Sequence, residues 1–508
     1  MKTIIYIYTN YKNHPSGEKF LSEYKSFMQR MGLLGLVNVL TAMSTIILIP
    51  ILSNNLSITD FGMWNIFQVT IRLFGAVATL GLPNAVIRFL PSIKEKNKIQ
   101  EGYYSIILFA STFILVLSFL IFLLSDIIAG ALFDGNVFLV QVLSLVVYLG
   151  AINTIIVNYF RAFKKIKIYS LFLFLQVYLS LLLVSYAVIV KQGINGAILA
   201  YLIGQVVIFI IMNLLIIREI GIYRPCFTRI REYLDFSLPM VPSAISYWIV
   251  ESSDKYLIGL LLGTSFVGFY SPAYSIGSLI ALIMMPFPSI LLPTISQHFD
   301  NGKVDQTTDY FTYSVKLFLF LSIPAVFGIS VLAYPLLVLL SNTLIAANSY
   351  YLIPLLVLGS FFYSIFTIYS LVFALVKKTR IIASIWFIAA LVNILGNLFL
   401  IPVLGLTAAA LTTLTSYFIA AAVIFYYSRR FLKVHLDLKF LSKSLLSSAI
   451  MAVIIYLVSH LSGQPGPIAL VFLVIVGAVI YLILMLVTRA LNEEENRFIK
   501  RLWKRQVK

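Results

Sequence analysis

Four ionisable residues stand inside long apolar runs of this 508-residue chain: Arg72, Glu251, Asp254 and Lys255. Charge at such depth is costly, so it faces a bundle interior or a water-filled cavity and marks a path for ions or substrates. Arg72 brings a permanently charged planar donor that suits a phosphate or a sugar carboxylate. Its alternative use is a structural ion pair or a carbonyl cap at a helix contact. Asn65, Gln68, Arg72 and Thr79 recur at helical steps and put a polar stripe on one side of their run. Ser243, Tyr247, Glu251, Asp254 and Lys255 form a second stripe. Two carboxylates one turn apart in low dielectric resist ionising together, the property a proton or sodium carrier needs. Glu251 and Lys255 also fit an intrahelical i,i+4 salt bridge that leaves Asp254 over, and Asp254 can equally pair with Arg72. Lys255, nearer the expected outer rim, can instead snorkel.

The elements that carry these residues are apolar runs near 32–52, 63–83, 103–125, 137–159, 168–190, 194–217, 237–260, 266–290, 314–339, 352–375, 381–401, 405–427, 443–461 and 467–488. As helices rising 1.5 Å per residue, each spans the roughly 30 Å of a bilayer's hydrocarbon. All but three of the 37 Lys and Arg (Arg72, Lys191 and Lys255) fall in alternate segments between these runs or at their very ends. By the positive-inside rule this parity places both termini in the cytoplasm and predicts a multi-pass cell-membrane protein with fourteen crossings. Phe20, Leu21, Tyr24, Phe27, Met28 and Met31 recur at helical spacing among charged residues, so 1–31 is expected to hold an interfacial amphipathic helix running into the first crossing. Residues 489–508 form a basic cytoplasmic tail.

Composition restricts the function further. The chain is 61% hydrophobic and 11% charged, and its net charge of +18 lies in segments facing anionic lipid, so no nucleic-acid partner is implied. Its single cysteine, Cys226, excludes disulfides and multi-cysteine metal sites. The interhelical segments are too short for a second domain. There is no phosphate-loop, zinc-protease or nucleophile-elbow motif, and no acidic triplet of the kind a membrane glycosyltransferase or polymerase would use. No cofactor and no metal are expected.

An internal repeat fixes the layout. Phe61-Gly62-Met63-Trp64 matches Val267-Gly268-Phe269-Tyr270, and Leu90-Pro91-Ser92-Ile93 matches Leu292-Pro293-Thr294-Ile295. Phe163-Lys164-Lys165 matches Val376-Lys377-Lys378, and Gly193-Ile194-Asn195-Gly196-Ala197 matches Gly405-Leu406-Thr407-Ala408-Ala409. The matches run in register with the crossings. They predict an N-lobe over 32–217 and a C-lobe over 237–427, six helices each, with two further helices over 443–488. An even number of crossings per unit makes the copies parallel, related by a pseudo-two-fold axis along the membrane normal, a design suited to alternating access.

The Phe61-Gly62-Met63-Trp64 entry to the second run, followed by Leu80-Gly81-Leu82-Pro83-Asn84-Ala85 and Arg88-Phe89, and Ser253-Asp254-Lys255 with Val267-Gly268-Phe269-Tyr270 resemble the polysaccharide-biosynthesis flippases of the multidrug/oligosaccharidyl-lipid/polysaccharide exporter superfamily. The resemblance covers nearly the whole chain. It implies a V-shaped pair of lobes, and translocation of a polyprenyl-(pyro)phosphate-linked oligosaccharide from the cytoplasmic to the outer leaflet, alongside glycosyltransferases and a polymerase. Lys255 departs from the family's more frequent Asp-Arg pair. With no nucleotide site, the drive would come from the membrane potential or a proton or sodium gradient. Arg72, Asn65, Gln68, Arg88, Tyr247 and Lys255 are the residues expected at the substrate, and Glu251 and Asp254 those expected at the coupling ion. Arg88 alternatively lies at the interface, and Tyr270 and Tyr274 either stack on sugar rings or belong to an aromatic belt. Asn393 and Asn397 read as interhelical hydrogen-bond glue. Pro239, Pro242, Pro286, Pro288, Pro324 and Pro335 are hinge candidates or static kinks. The other readings are an ion-coupled multidrug exporter, weakened by the lack of an acid in the first run, and an integral-membrane glycosyltransferase or polymerase, which lacks the loops and motifs.

Overall fold

The computed structural model describes residues 17–432, 434, 437–461 and 465–490, with side chains described from Gly32 onward. The apolar side-chain pattern of 20–31, residues 1–16 and the tail from 491 lie outside the described residues. The described chain is helical: α1 Gly17–Asn55, α2 Ile58–Ala78, α3 Leu82–Phe89, α4 Lys96–Leu123, α5 Ser125–Leu132, α6 Val137–Ala162, α7 Ile166–Ile189, α8 Gly193–Ile220, α9 Ile230–Ser237, α10 Val241–Leu261 and α11 Thr264–Gly277. It continues as α12 Leu279–Met284, α13 Pro286–Asp300, α14 Val304–Val331, α15 Ala333–Leu340, α16 Thr343–Ser349, α17 Ile353–Leu375, α18 Thr379–Leu404, α19 Leu406–Ser428, α20 Leu438–Leu461 and α21 Pro467–Val487. Twelve helical stretches are long and apolar enough to cross a membrane, and up to thirteen if the bent pair α2 and α3 is one span. The remaining expected crossing is α10, 21 residues long, which carries Glu251, Asp254 and Lys255. Those three charges are what separates it in composition from the others.

Three expected crossings are interrupted, among them the run at 314–339, which divides at Leu332 into α14 and α15. The run at 63–83 begins earlier, at Ile58, and bends by 51° where α2 gives way to α3. Leu80 and Gly81 are both left-handed there (φ 50° and 69°), and Pro83 enters the first turn of α3. Proline at a helix start loses no internal hydrogen bond, so the motif builds a kink cheaply. The run at 266–290 likewise divides into α11, α12 and α13, the last opening on Pro286. Pro242 opens α10, Pro239 lies in the short 3-10 turn before it, Pro324 lies inside α14, and Pro335 sits in the first turn of α15.

The described residues cluster into two compact units. One comprises residues up to Leu48, Leu73–Asp126 and Val137–Val241. Its core packs α3, α4, α6, α8 and α9 around Val86, Ile106, Ile155, Phe160, Met212 and Tyr233. The other comprises Ile49–Arg72, Ile127–Asn136 and the chain from Pro242. Its core packs α10, α14 and α17–α21 around Val250, Phe318, Val372, Trp386, Ile424 and Met451.

The repeated motifs share local geometry. Lys164 and Lys377 are both left-handed (φ 59° and 58°). Lys165 N–H donates to the Phe160 carbonyl at 2.8 Å, and Lys378 N–H to that of Phe373 at 2.9 Å. Both turns thus use the helix-ending geometry in which a left-handed residue lets the chain cap its own last carbonyls. Gly62 and Gly268 meet each other's helix starts. A Cβ on Gly62 would strike the Thr264 carbonyl, and one on Gly268 would strike that of Ile58. The same offset of 206 relates Gly62 to Gly268 and Ile58 to Thr264. The contact is therefore self-complementary, as a two-fold relation between two segments requires.

Candidate functional site

Helix α10 is held against α2 by two polar contacts. Trp248 Nε1–H donates to the Val69 carbonyl at 3.2 Å, and the hydroxyls of Thr70 and Tyr256 are hydrogen-bonded. This docking sets Arg72 opposite Glu251, Nη1 to Oε1 3.8 Å, with side chains 56% and 30% exposed. The expected intrahelical pair of Glu251 with Lys255 does not form, nor does the alternative of Arg72 with Asp254. Spacing along one helix reports only the partners that helix can offer, and here the partner comes from α2. Glu251 lies ten residues from either end of α10, about 15 Å along the axis at 1.5 Å per residue, and so at the middle of the crossing expected over 237–260. Half-exposed charge at that depth requires water beside it rather than lipid.

Asp254 and Lys255 turn the other way. Asp254 is fully buried and Lys255 is 6% exposed, so Lys255 does not snorkel. The Tyr270 hydroxyl donates to Asp254 Oδ2 at 2.6 Å, and the Lys255 backbone N–H donates to Oδ1 at 2.8 Å. The Lys255 ammonium lies 4.4 Å from the centroid of the Tyr274 ring, within cation–π range. Tyr270 is fully buried and has no ring face left for a sugar. Beside it, Ser253 donates to Asn393 Oδ1 at 3.1 Å, Asn397 donates to the same oxygen at 3.1 Å, and Thr412 donates to Asn397 Oδ1 at 2.5 Å. These bonds tie α10, α18 and α19 together.

The remaining expected residues are placed as follows. Asn65, half-buried, donates back to the Phe61 carbonyl at 2.7 Å. Gln68 is half-buried one turn from Arg72 on the same helix. Thr79 is buried and bonds the Gly75 carbonyl at 2.8 Å. Arg88 is exposed in the last turn of α3, in the other compact unit.

Tyr247, one turn before Glu251, is 37% exposed and opens a cluster that the sequence did not reveal. Its hydroxyl faces that of Tyr363 at 3.4 Å, and its ring stands edge-on to Trp386 at 5.4 Å. Tyr363 and Trp386 lie in apolar helices α17 and α18, where an aromatic residue is indistinguishable from core. A separate cavity of about 290 Å³, lined by Phe361, Phe362, Phe418 and Phe440 with the Lys316–Asp437 ion pair, holds none of the expected site residues. Among the described residues no group of His, Cys, Asp and Glu could hold a metal ion.

Residues 27–299 match the family described as polysaccharide biosynthesis protein, and residues 239–399 match the MatE family. A curated relative, the probable low-salt glycan biosynthesis flippase Agl15 of Haloferax volcanii, is 24% identical over 306 residues, 60% of this chain and 64% of its own. The match thus spans just under two thirds of that relative's length. Among solved structures, the lipid II flippase MurJ in an inward closed conformation superposes with a TM-score of 0.73 at 18% identity, over 90% of this chain and 99% of that one. An inward-facing multidrug resistance MATE transporter of the MOP superfamily gives 0.64 at 15% identity, over 78% and 97%. At these identities the structural likeness speaks for the fold.

Proposed function

The chain belongs to the polysaccharide biosynthesis protein family, and from that premise we propose that it is a flippase carrying a polyprenyl-(pyro)phosphate-linked oligosaccharide from the cytoplasmic to the outer leaflet of the cell membrane. The observation that carries the reading is the Arg72–Glu251 pair, loose at 3.8 Å, exposed, and midway along α10. A pyrophosphate crossing hydrocarbon needs a counter-charge there. A guanidinium provides one with a fork of donors that fits two phosphate oxygens. In this scheme Glu251 holds Arg72 when no substrate is bound, and the phosphate takes its place. The displaced carboxylate then takes up a proton or a sodium ion, which links the head group's movement to an ion gradient. Of the two expected coupling carboxylates, Glu251 suits this exchange because it is accessible. Asp254 is fully buried with both oxygens hydrogen-bonded, which suits a fixed structural role beside buried Lys255. Asn65, Gln68 and Arg88 are assigned to the substrate path, with the glycosyltransferases and polymerase of the glycan as functional partners. Relatives with named transport roles, the Agl15 flippase among them, support a transporter rather than an enzyme.

The match of residues 239–399 to the MatE family favours a second reading, an ion-coupled multidrug exporter. Disruption of the gene separates the two. The flippase reading expects lipid-linked glycan to accumulate in the inner leaflet and surface glycan to disappear, both reversed by the intact gene. Normal glycan with heightened sensitivity to cationic drugs would transfer the assignment to drug export.

A further inference from the structure

We infer that Tyr247, Tyr363 and Trp386 form a platform for a sugar ring, one helical turn from the Arg72–Glu251 pair. The inference rests on the phosphate reading of that pair and names the part of the substrate lying next to it. Tyr247 and Glu251 are four residues apart on α10 and so share a face, with about 5–6 Å between their Cβ atoms, the scale of a single pyranose. A head group whose phosphate meets Arg72 therefore lays its first sugar over Tyr247.

The chemistry at that point is what a sugar needs. Pyranose rings present a C–H face, which packs on an aromatic ring, and a rim of hydroxyls, which need hydrogen-bond partners. Tyr247 is 37% exposed, whereas Trp386, only 8% exposed, forms a floor beneath it, edge-on at 89°. Tyr363 completes the surface, 6.1 Å from Trp386 by ring centroids and backed by Tyr417 at 5.3 Å. The two exposed-side hydroxyls stand 3.4 Å apart, longer than the 2.5–3.0 Å of a normal O–H···O bond. They satisfy each other poorly and are placed to accept or donate to a ligand hydroxyl between them. An interfacial aromatic belt would account for tyrosines at a helix end. Tyr247 lies instead one turn from the residue at the midpoint of α10.

The test compares two probes on the full-length purified protein: farnesyl pyrophosphate, and farnesyl pyrophosphate bearing one N-acetylglucosamine. Tyr247→Ala and Tyr363→Ala are expected to weaken the sugar-bearing probe about five- to tenfold, the size of one lost stacking contact, and to leave farnesyl pyrophosphate within about twofold. Tyr363→Phe, which keeps the packing, should lose a smaller part of the same preference. Arg72→Ala should weaken both probes alike. Sugar-probe binding unchanged in both alanine variants, while Arg72→Ala still weakens both probes, would overturn the platform and leave the flippase reading standing. A sugar preference that depends on the tyrosines while Arg72→Ala changes nothing would keep the platform and remove the phosphate role of Arg72.

Discussion

Glu251 and Lys255 show how far spacing reaches at the scale of single residues. Both were marked by their charge in an apolar run, and their four-residue separation suggested that they pair with each other. The structure gives Glu251 to Arg72 and lays Lys255 beside Asp254 and the Tyr274 ring. Spacing identified the charges because burial of charge is costly in any context. It missed the pairing because that depends on which side of α10 each neighbour covers. Tyr363 and Trp386 stayed hidden for a related reason: an aromatic residue in an apolar helix carries no sign of whether it faces core or water. The burial of Lys255 has a measurable consequence. Lys255→Met removes the buried ammonium that sits over the Tyr274 ring and leaves the fully buried Asp254 carboxylate with only its two hydrogen bonds, and a buried charge without compensation is costly. The variant should unfold at a markedly lower temperature. The double variant Asp254→Asn, Lys255→Met, which strands no charge, should recover most of the loss. An unchanged midpoint in the single variant would mean that Asp254 and Lys255 do not depend on each other.

At the scale of elements, the paired motifs are legible because they recur in order, and for one pair the physical meaning appears where two helices meet. Phe61-Gly62 and Val267-Gly268 match in sequence because each glycine lets the start of α2 or α11 approach the other's backbone. The kinks were less legible. Leu80-Gly81-Leu82-Pro83 stood out as a motif, yet hydrophobicity ran continuously through it, and only the left-handed φ of two successive residues ends α2 there. Hydrophobicity measures how apolar a stretch is and is blind to its direction. The crossing at the glycines predicts that Gly62→Ala and Gly268→Ala each destabilise the protein. A methyl in either position strikes a carbonyl of the opposite helix, and the backbone must move to admit it. Gly75→Ala on the same α2, where a Cβ meets nothing within 4 Å, should be tolerated or slightly stabilising, since alanine is the better helix former. Thermal stability of the three variants in detergent decides this, and equal values would dissolve the glycine contact as a constraint.

For the whole molecule, membrane character and an all-helical fold were legible in composition, because a bilayer imposes length and apolarity on every crossing, and the polysaccharide biosynthesis family was legible in motif order. The orientation rests on the distribution of basic residues. Cys226, the only cysteine and exposed, lies in a segment that the positive-inside rule assigns to the cytoplasm. In intact cells it should resist an impermeant thiol reagent, while single cysteines introduced within 53–60 or 341–348 of a cysteine-free variant should label. Labelling of Cys226 from outside would reverse the orientation and with it the direction of transport. The central claim, that Arg72 compensates a phosphate during translocation of a lipid-linked glycan, is tested most directly by the initial rate at which a polyprenyl-pyrophosphate-linked sugar changes leaflet in proteoliposomes under an imposed proton or sodium gradient. The account predicts a rate well above that of protein-free vesicles for the intact protein. It predicts at least a tenfold loss in Arg72→Ala with normal insertion, and partial recovery in Arg72→Lys, which keeps the charge but not the fork. A rate in Arg72→Ala equal to that of the intact protein would contradict it.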